Sequence, residues 1–184
     1  QWLVDLTSWD YFITLNPEIA EIGNKTYISP SFLQQSASFV KQFHAHMDKN
    51  LLGKHWHKKD PVNERTFLVA FPEIGSKGDL LHWHGFIRVP NIRKKCRYTK
   101  IATNAYYTAW TASFGASRKY VRQNDRYYEH DEYGEVSSIP INKKEKMGHL
   151  YIVPFEKGSA FYSSKTFCSK YGLENYIIST DFSQ

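Results

Sequence analysis

Two strand-like runs flanking a turn, RTFLVAF (65–71) and LLHWHGFIRV (80–89), constrain this chain more than any other feature. Both runs are rich in aromatic and β-branched residues, and the intervening PEIGSKGD carries Pro, Gly and Asp, so they read as an antiparallel hairpin. Upstream, WDYFITL (9–15) reads as a strand stopped by Asn16-Pro17. The segment 31–52 places Phe32, Leu33, Phe39, Val40, Phe43, Met47 and Leu51 near helical spacing, with Ser29 or Ser31 as cap and Gly53 as terminator. Downstream, 99–114 gathers Ala102, Ala105, Tyr106, Ala109 and Trp110 on one helical stripe. HLYIVPF (149–155) reads as a strand, 159–171 as a helix closed by Gly172, and NYIIS (175–179) as a final strand. The order β-α-β-β-α-β, followed by a further helix and strand, predicts an α+β fold. Its centre is a ferredoxin-like, RRM-like antiparallel sheet with helices packed on it. We expect a single domain over 1–184 with a basic insert around 116–147, irregular apart from a hairpin at Tyr133-Gly134.

Net charge is +6, but its distribution says more. Residues 93–126 hold Arg93, Lys94, Lys95, Arg97, Lys100, Arg118, Lys119, Arg122 and Arg126 against one acid, Asp125. A segment so basic attracts polyphosphates by counterion release, although a solvated basic surface has the same composition. Cys96 and Cys168 have no partner at metal-ligand spacing and form no disulfide framework, which fits a reducing, intracellular compartment. No apolar run reaches the roughly 18 residues of a membrane span, and QWLVDLTSWDYF lacks the pattern of a secretory leader. The chain starts at Gln1 rather than Met, so a longer native polypeptide is expected.

His82 and His84 flank Trp83 within the second hairpin strand. Residues two apart on a strand share a face, so both imidazoles project together and Trp83 projects oppositely. Two neutral imidazoles that close form a bidentate platform for a divalent metal; the alternative is a polar pair on an exposed strand face. Two similar triplets lack that geometry. His44-Ala45-His46 falls in the first helix, where the side chains diverge, and His55-Trp56-His57 runs into a charged turn; both read as surface histidines. Phosphate chemistry also favours an oxygen ligand. Glu73, at the end of the first hairpin strand, is the favoured third ligand, with Asp79 in the turn as its competitor.

On the helix 159–171, Tyr162, Lys165 and Ser169 fall within about 60 degrees of one another. Ala160, Phe167 and Tyr171 lie roughly opposite. A tyrosine away from the apolar face and beside an ammonium is the arrangement a reactive phenol needs, although an exposed Tyr beside a Lys has the same spacing.

Three segments together resemble the HUH endonucleases, and among them the single-tyrosine rolling-circle replication initiators. FITLNP (12–17) is similar to the first family motif, LHWHGFI (81–87) to the histidine–hydrophobic–histidine motif, and YSSK (162–165) to the tyrosine-and-lysine helix motif. The resemblance implies an HUH fold with the histidines on a central strand and a Mg or Mn ion held by His82, His84 and a carboxylate such as Glu73. It also implies nicking and rejoining of single-stranded DNA through a 5′-phosphotyrosine at Tyr162, with Lys165 near the scissile phosphate. Partners would be single-stranded or hairpin DNA at an origin or transposon end, in a bacterial or archaeal cytoplasm or, for a viral protein, a nucleus. Because the histidines precede the tyrosine, an initiator or transposase fits the resemblance better than a conjugative relaxase. Arg93, Lys94, Lys95, Arg97, Arg118, Lys119 and Arg122 would grip the phosphates. Tyr106, Tyr107 or Trp110 would either stack on bases or fill the core stripe of their helix. The rival reading is a non-catalytic RNA- or DNA-binding module on the same sheet. No P-loop motif occurs in the sequence.

Overall fold

The computed structural model describes residues 8–17, 30–74, 81–90, 98–114, 120–123, 126–130, 136–139, 149–156 and 176–179. Its elements run β1 (Tyr11–Asn16), α1 (Pro30–Leu52), β2 (Phe67–Ile74), β3 (Leu81–Arg88), α2 (Tyr98–Phe114), β4 (Tyr120–Gln123), β5 (Arg126–His130), β6 (Val136–Ile139), β7 (His149–Pro154) and β8 (Ile177–Ile178). The strands form one sheet in the order β6-β5-β4-β7-β1-β3-β2-β8.

From β7 to β8 every pairing is antiparallel. Within it, β7-β1-β3-β2 places the fourth, first, third and second strands of a β-α-β-β-α-β unit side by side, the ferredoxin-like arrangement the sequence predicts. The hairpin register runs Phe67↔Arg88 to Ile74↔Leu81, and β1 lies on the other side of β3 with Thr14 opposite His84.

Helices α1 and α2 cover one face of the sheet. Phe39, Val40, Phe43, Met47 and Leu51 of α1 meet Ile13, Leu15, Leu68, Ala70, Trp83, Ile87, Leu150 and Ile152 of the strands. The α2 stripe, Ala102, Ala105, Tyr106, Ala109 and Trp110, lies in the same core. These aromatics therefore fill the interior rather than face a ligand. Tyr106 donates its hydroxyl to the Asn16 carbonyl, and the Trp110 indole donates to the Pro17 carbonyl at 2.8 Å. Helix α1 ends as the sequence requires: Gly53 adopts φ of 82° and its N–H donates to the Lys49 carbonyl at 2.9 Å.

The segment 116–147 departs from the expected irregular loop. It contributes β4, β5 and β6, which extend the sheet beyond β7 through a parallel β4–β7 pairing. YVRQ, RYYEH and VSSI are too short and polar to show alternation, and cross-strand pairing rather than periodicity defines them. The β5–β6 hairpin pairs His130 with Val136 and so encloses Tyr133-Gly134, as expected. The predicted helix 159–171 lies outside the described residues. Among the described residues no helix is long and apolar enough to cross a membrane.

Candidate metal centre

The sheet face opposite the helices carries the predicted ligands. Trp83 turns toward α1, fully buried, and its indole N–H donates to Ser36 Oγ at 2.6 Å. Strand alternation then directs His82 and His84 to the other face, as the sequence reading requires. On β2, Glu73 sits directly opposite His82, and Phe71 opposite His84. The turn competitor, Asp79, lies outside the described residues.

Glu73 Oε2 lies 2.9 Å from His84 Nε2 and 3.7 Å from His82 Nε2. One ligand atom from each of the three residues falls within 4.8 Å of the others, a group that could hold a metal ion. The two imidazole rings meet edge to face, 4.7 Å apart and 85° inclined. Side-chain exposure rises from 6% at His84 through 18% at His82 to 29% at Glu73, so the cluster is closed at its base and open on the carboxylate side. A cation there would be held from one side, with positions left for water or substrate.

His84 is the most constrained member. Its Nδ1 lies 2.9 Å from the Thr14 hydroxyl, and the Phe12 ring stacks on it at 5.6 Å and 17°. Burial, reinforced by the neighbouring His82, lowers its pKa to about 3, so the ring is neutral at physiological pH. A neutral imidazole carries one N–H and one lone pair. In the tautomer whose Nδ1–H donates to the Thr14 hydroxyl, Nε2 carries the lone pair that a metal ion between His84, His82 and Glu73 would take. Two imidazole nitrogens and one carboxylate fit a borderline divalent cation; an all-oxygen set would suit magnesium better.

Gly85 is also part of the construction. An added Cβ would lie 2.6 Å from the Val69 carbonyl oxygen and 3.2 Å from Ala70 Cα, so only glycine lets β2 and β3 approach this closely beside His84.

The other histidine triplets divide. His55 and His57 are exposed on a short 3-10 turn, as expected. His44, expected at the surface, is instead buried. Its Nε2 donates to the Thr66 carbonyl at 2.9 Å, within a network where Asp48 accepts from Arg65 Nε at 2.8 Å and from Thr66 N at 2.9 Å. The network joins α1 to the start of β2, a long-range contact that helix periodicity does not reveal.

Tyr162, Lys165, Arg93, Lys94, Lys95, Arg97, Arg118, Lys119, Cys96 and Cys168 lie outside the described residues. Arg122 stands in β4, opposite His149 of β7. Two features escaped the sequence reading: Thr14, and the exposed Tyr151 and Tyr176. Parity along FITLNP could have flagged Thr14, since a polar residue between Ile13 and Leu15 must point away from the core. No family model, curated protein or solved structure matches the chain.

Proposed function

We propose that this chain is a metal-dependent endonuclease that nicks and rejoins single-stranded DNA through a 5′-phosphotyrosine, as rolling-circle replication initiators do. The observation that carries this reading is the convergence of Glu73, His82 and His84 on the face of a ferredoxin-like sheet opposite α1 and α2. The strongly basic 93–126 segment and the motif YSSK at 162–165 support it. A transposase would use the same chemistry.

Glu73, His82 and His84 would hold the cation, manganese in preference to magnesium because two of the three donors are nitrogen. When bound, the cation supplies positive charge at the scissile phosphate. Thr14 fixes the His84 ring, and the open side of the cluster admits the phosphate. Tyr162 is the nucleophile. Its Oη–phosphorus bond forms as the phosphorus–O3′ bond breaks, and the phenol proton ends on the released 3′ oxygen. An ordinary Tyr has a pKa near 10, so Lys165, three residues on in sequence, stabilises the developing phenolate and phosphoryl charge. The 5′ phosphate stays on the tyrosine, and attack by a 3′-hydroxyl reverses the step.

The test mixes the chain with Mn and a random-sequence oligonucleotide library that includes hairpins, then runs a denaturing gel. The 3′-labelled strand should co-migrate with protein while 5′-labelled fragments run free. Tyr162→Phe should abolish the adduct and retain binding. Binding without any adduct in the wild-type chain would leave a nucleic-acid-binding module and overturn the enzymatic reading.

A further inference from the structure

One member of the metal cluster, His84, lies in the middle of a row that crosses the sheet. Thr14 of β1 pairs with His84 on one side and with Tyr151 of β7 on the other. Across β3, His84 pairs with Phe71 of β2. Strand β8 pairs Ile178 with Val69 and Ile177 with Ala70, so Tyr176 stands one step further, beside Phe71, with the two rings 6.3 Å apart. Residues paired directly across strands share a face. Leu150 and Ile152, the chain neighbours of Tyr151, lie in the helix-side core, which independently places Tyr151 on the metal face. The row therefore reads Tyr151, Thr14, His84, Phe71, Tyr176.

Its two ends are exposed. Tyr151 is 38% and Tyr176 45% exposed, and among the described residues only Val62 joins them as an exposed large apolar side chain. A single exposed tyrosine needs no explanation. Two of them, each two strands from His84 on opposite sides, do. At about 4.8 Å per strand, each lies roughly 10 Å from His84, and the row spans roughly 19 Å. That length accommodates at most about six nucleotides at 3.4 Å each. The sheet beyond Tyr151 continues into β4 and β5, so two basic residues, Arg122 and Arg126, stand on the strands that follow β7 on that side.

We infer that Tyr151 and Tyr176 are base-stacking platforms that hold unpaired DNA on either side of the metal centre, contacting it at the two exposed ends while Phe71 between them stays buried. The inference rests on the proposed endonuclease reading and adds the residues that grip the substrate. Aromatic rings accept any base face, so the row provides affinity for single strands with little sequence preference. Gripping a strand on both sides of the cluster would also hold its scissile phosphate over the ligands.

The test measures fluorescence anisotropy of a labelled single-stranded oligonucleotide with the full chain in EDTA, which prevents turnover. Tyr151→Ala and Tyr176→Ala should each weaken binding about tenfold, and the double variant more, since each stacked base contributes at this scale. Tyr151→Phe and Tyr176→Phe should stay within about twofold of wild type, because the ring is retained. Duplex affinity and Mn binding should be unchanged in all of them, the Mn titration serving also as the check on folding. Alanine variants that bind single strands within twofold of wild type, or that lose duplex affinity equally, overturn the inference while leaving the endonuclease reading intact. A wild-type chain that binds no single-stranded DNA overturns both.

Discussion

Replacing Gly85 by alanine links the fold to the metal centre in one perturbation. Gly85 lies between Ile13 on β1 and Ala70 on β2, next in sequence to His84. The new methyl would sit 2.6 Å from the Val69 carbonyl oxygen and 3.2 Å from both Ala70 Cα and Ala70 Cβ. Carbon atoms prefer separations of about 3.5–4.0 Å, so β2 must retreat from β3 by roughly half an ångström or more. No side-chain rotamer relieves the clash, because its nearest partner is backbone. Overpacking costs about 1–3 kcal/mol, and a backbone clash between central strands belongs at the upper end, about 2–3 kcal/mol. In a chain of this size that lowers Tm by about 5–10 °C. The same retreat draws Glu73 away from His82 and His84, and a site of this kind tolerates only about 0.5 Å of misplacement. Mn affinity should therefore fall along with stability. Thermal melts followed by circular dichroism, paired with calorimetric Mn titration of the folded variant, read both effects. A Gly85→Ala chain that melts within 1 °C of wild type and binds Mn equally would refute the steric argument.

Three further perturbations probe separate parts of the structure. Thr14→Val keeps the shape of the side chain but removes the partner of His84 Nδ1, so Mn affinity should drop about 10- to 100-fold with little change in Tm, and Thr14→Ser should restore it. Asp48→Ala strands the buried Arg65 guanidinium and should cost about 3–5 kcal/mol in urea unfolding, whereas removing the solvent-exposed Lys59–Glu64 pair should leave the unfolding curve close to that of wild type. Burial holds the His44 pKa below its ordinary value, so near and below pH 6.5 the unfolded chain takes up a proton that the folded chain resists. Its contribution to stability is complete above pH 6.5 and declines as pH falls toward the folded pKa, by at most about 1.4 kcal/mol per pH unit. Unfolding titrations between pH 5 and 8 should show that slope diminished in His44→Gln.

The elements legible in the sequence are those whose signals are local. The β2–β3 hairpin announces itself by two apolar runs around a Gly-containing turn, α1 by its spacing and by Gly53, and α2 by the alanine stripe that packs it into the core. Strand parity alone was enough to separate Trp83 from His82 and His84, and hairpin geometry to favour Glu73. Register between distant strands is another matter. That Thr14 meets His84, and that Tyr151 falls in the same row, depends on pairings across roughly 70 and 140 residues that alternation does not encode. The strands β4, β5 and β6 were hidden for a related reason: at four or five residues each, they acquire their identity from partners in the sheet. His44 shows the opposite failure. A polar residue on a helix reads as solvated until the Thr66 and Asp48 groups that satisfy it are known.

The metal centre is tested most directly by titrating the metal-free chain with Mn, followed by electron paramagnetic resonance and calorimetry. The expected result is one equivalent bound by wild type, with His84→Ala and His82→Ala losing affinity at least about 100-fold and Glu73→Gln losing it less steeply. A wild-type chain that binds no Mn, or histidine variants that bind as tightly as wild type, would contradict a metal held between β2 and β3.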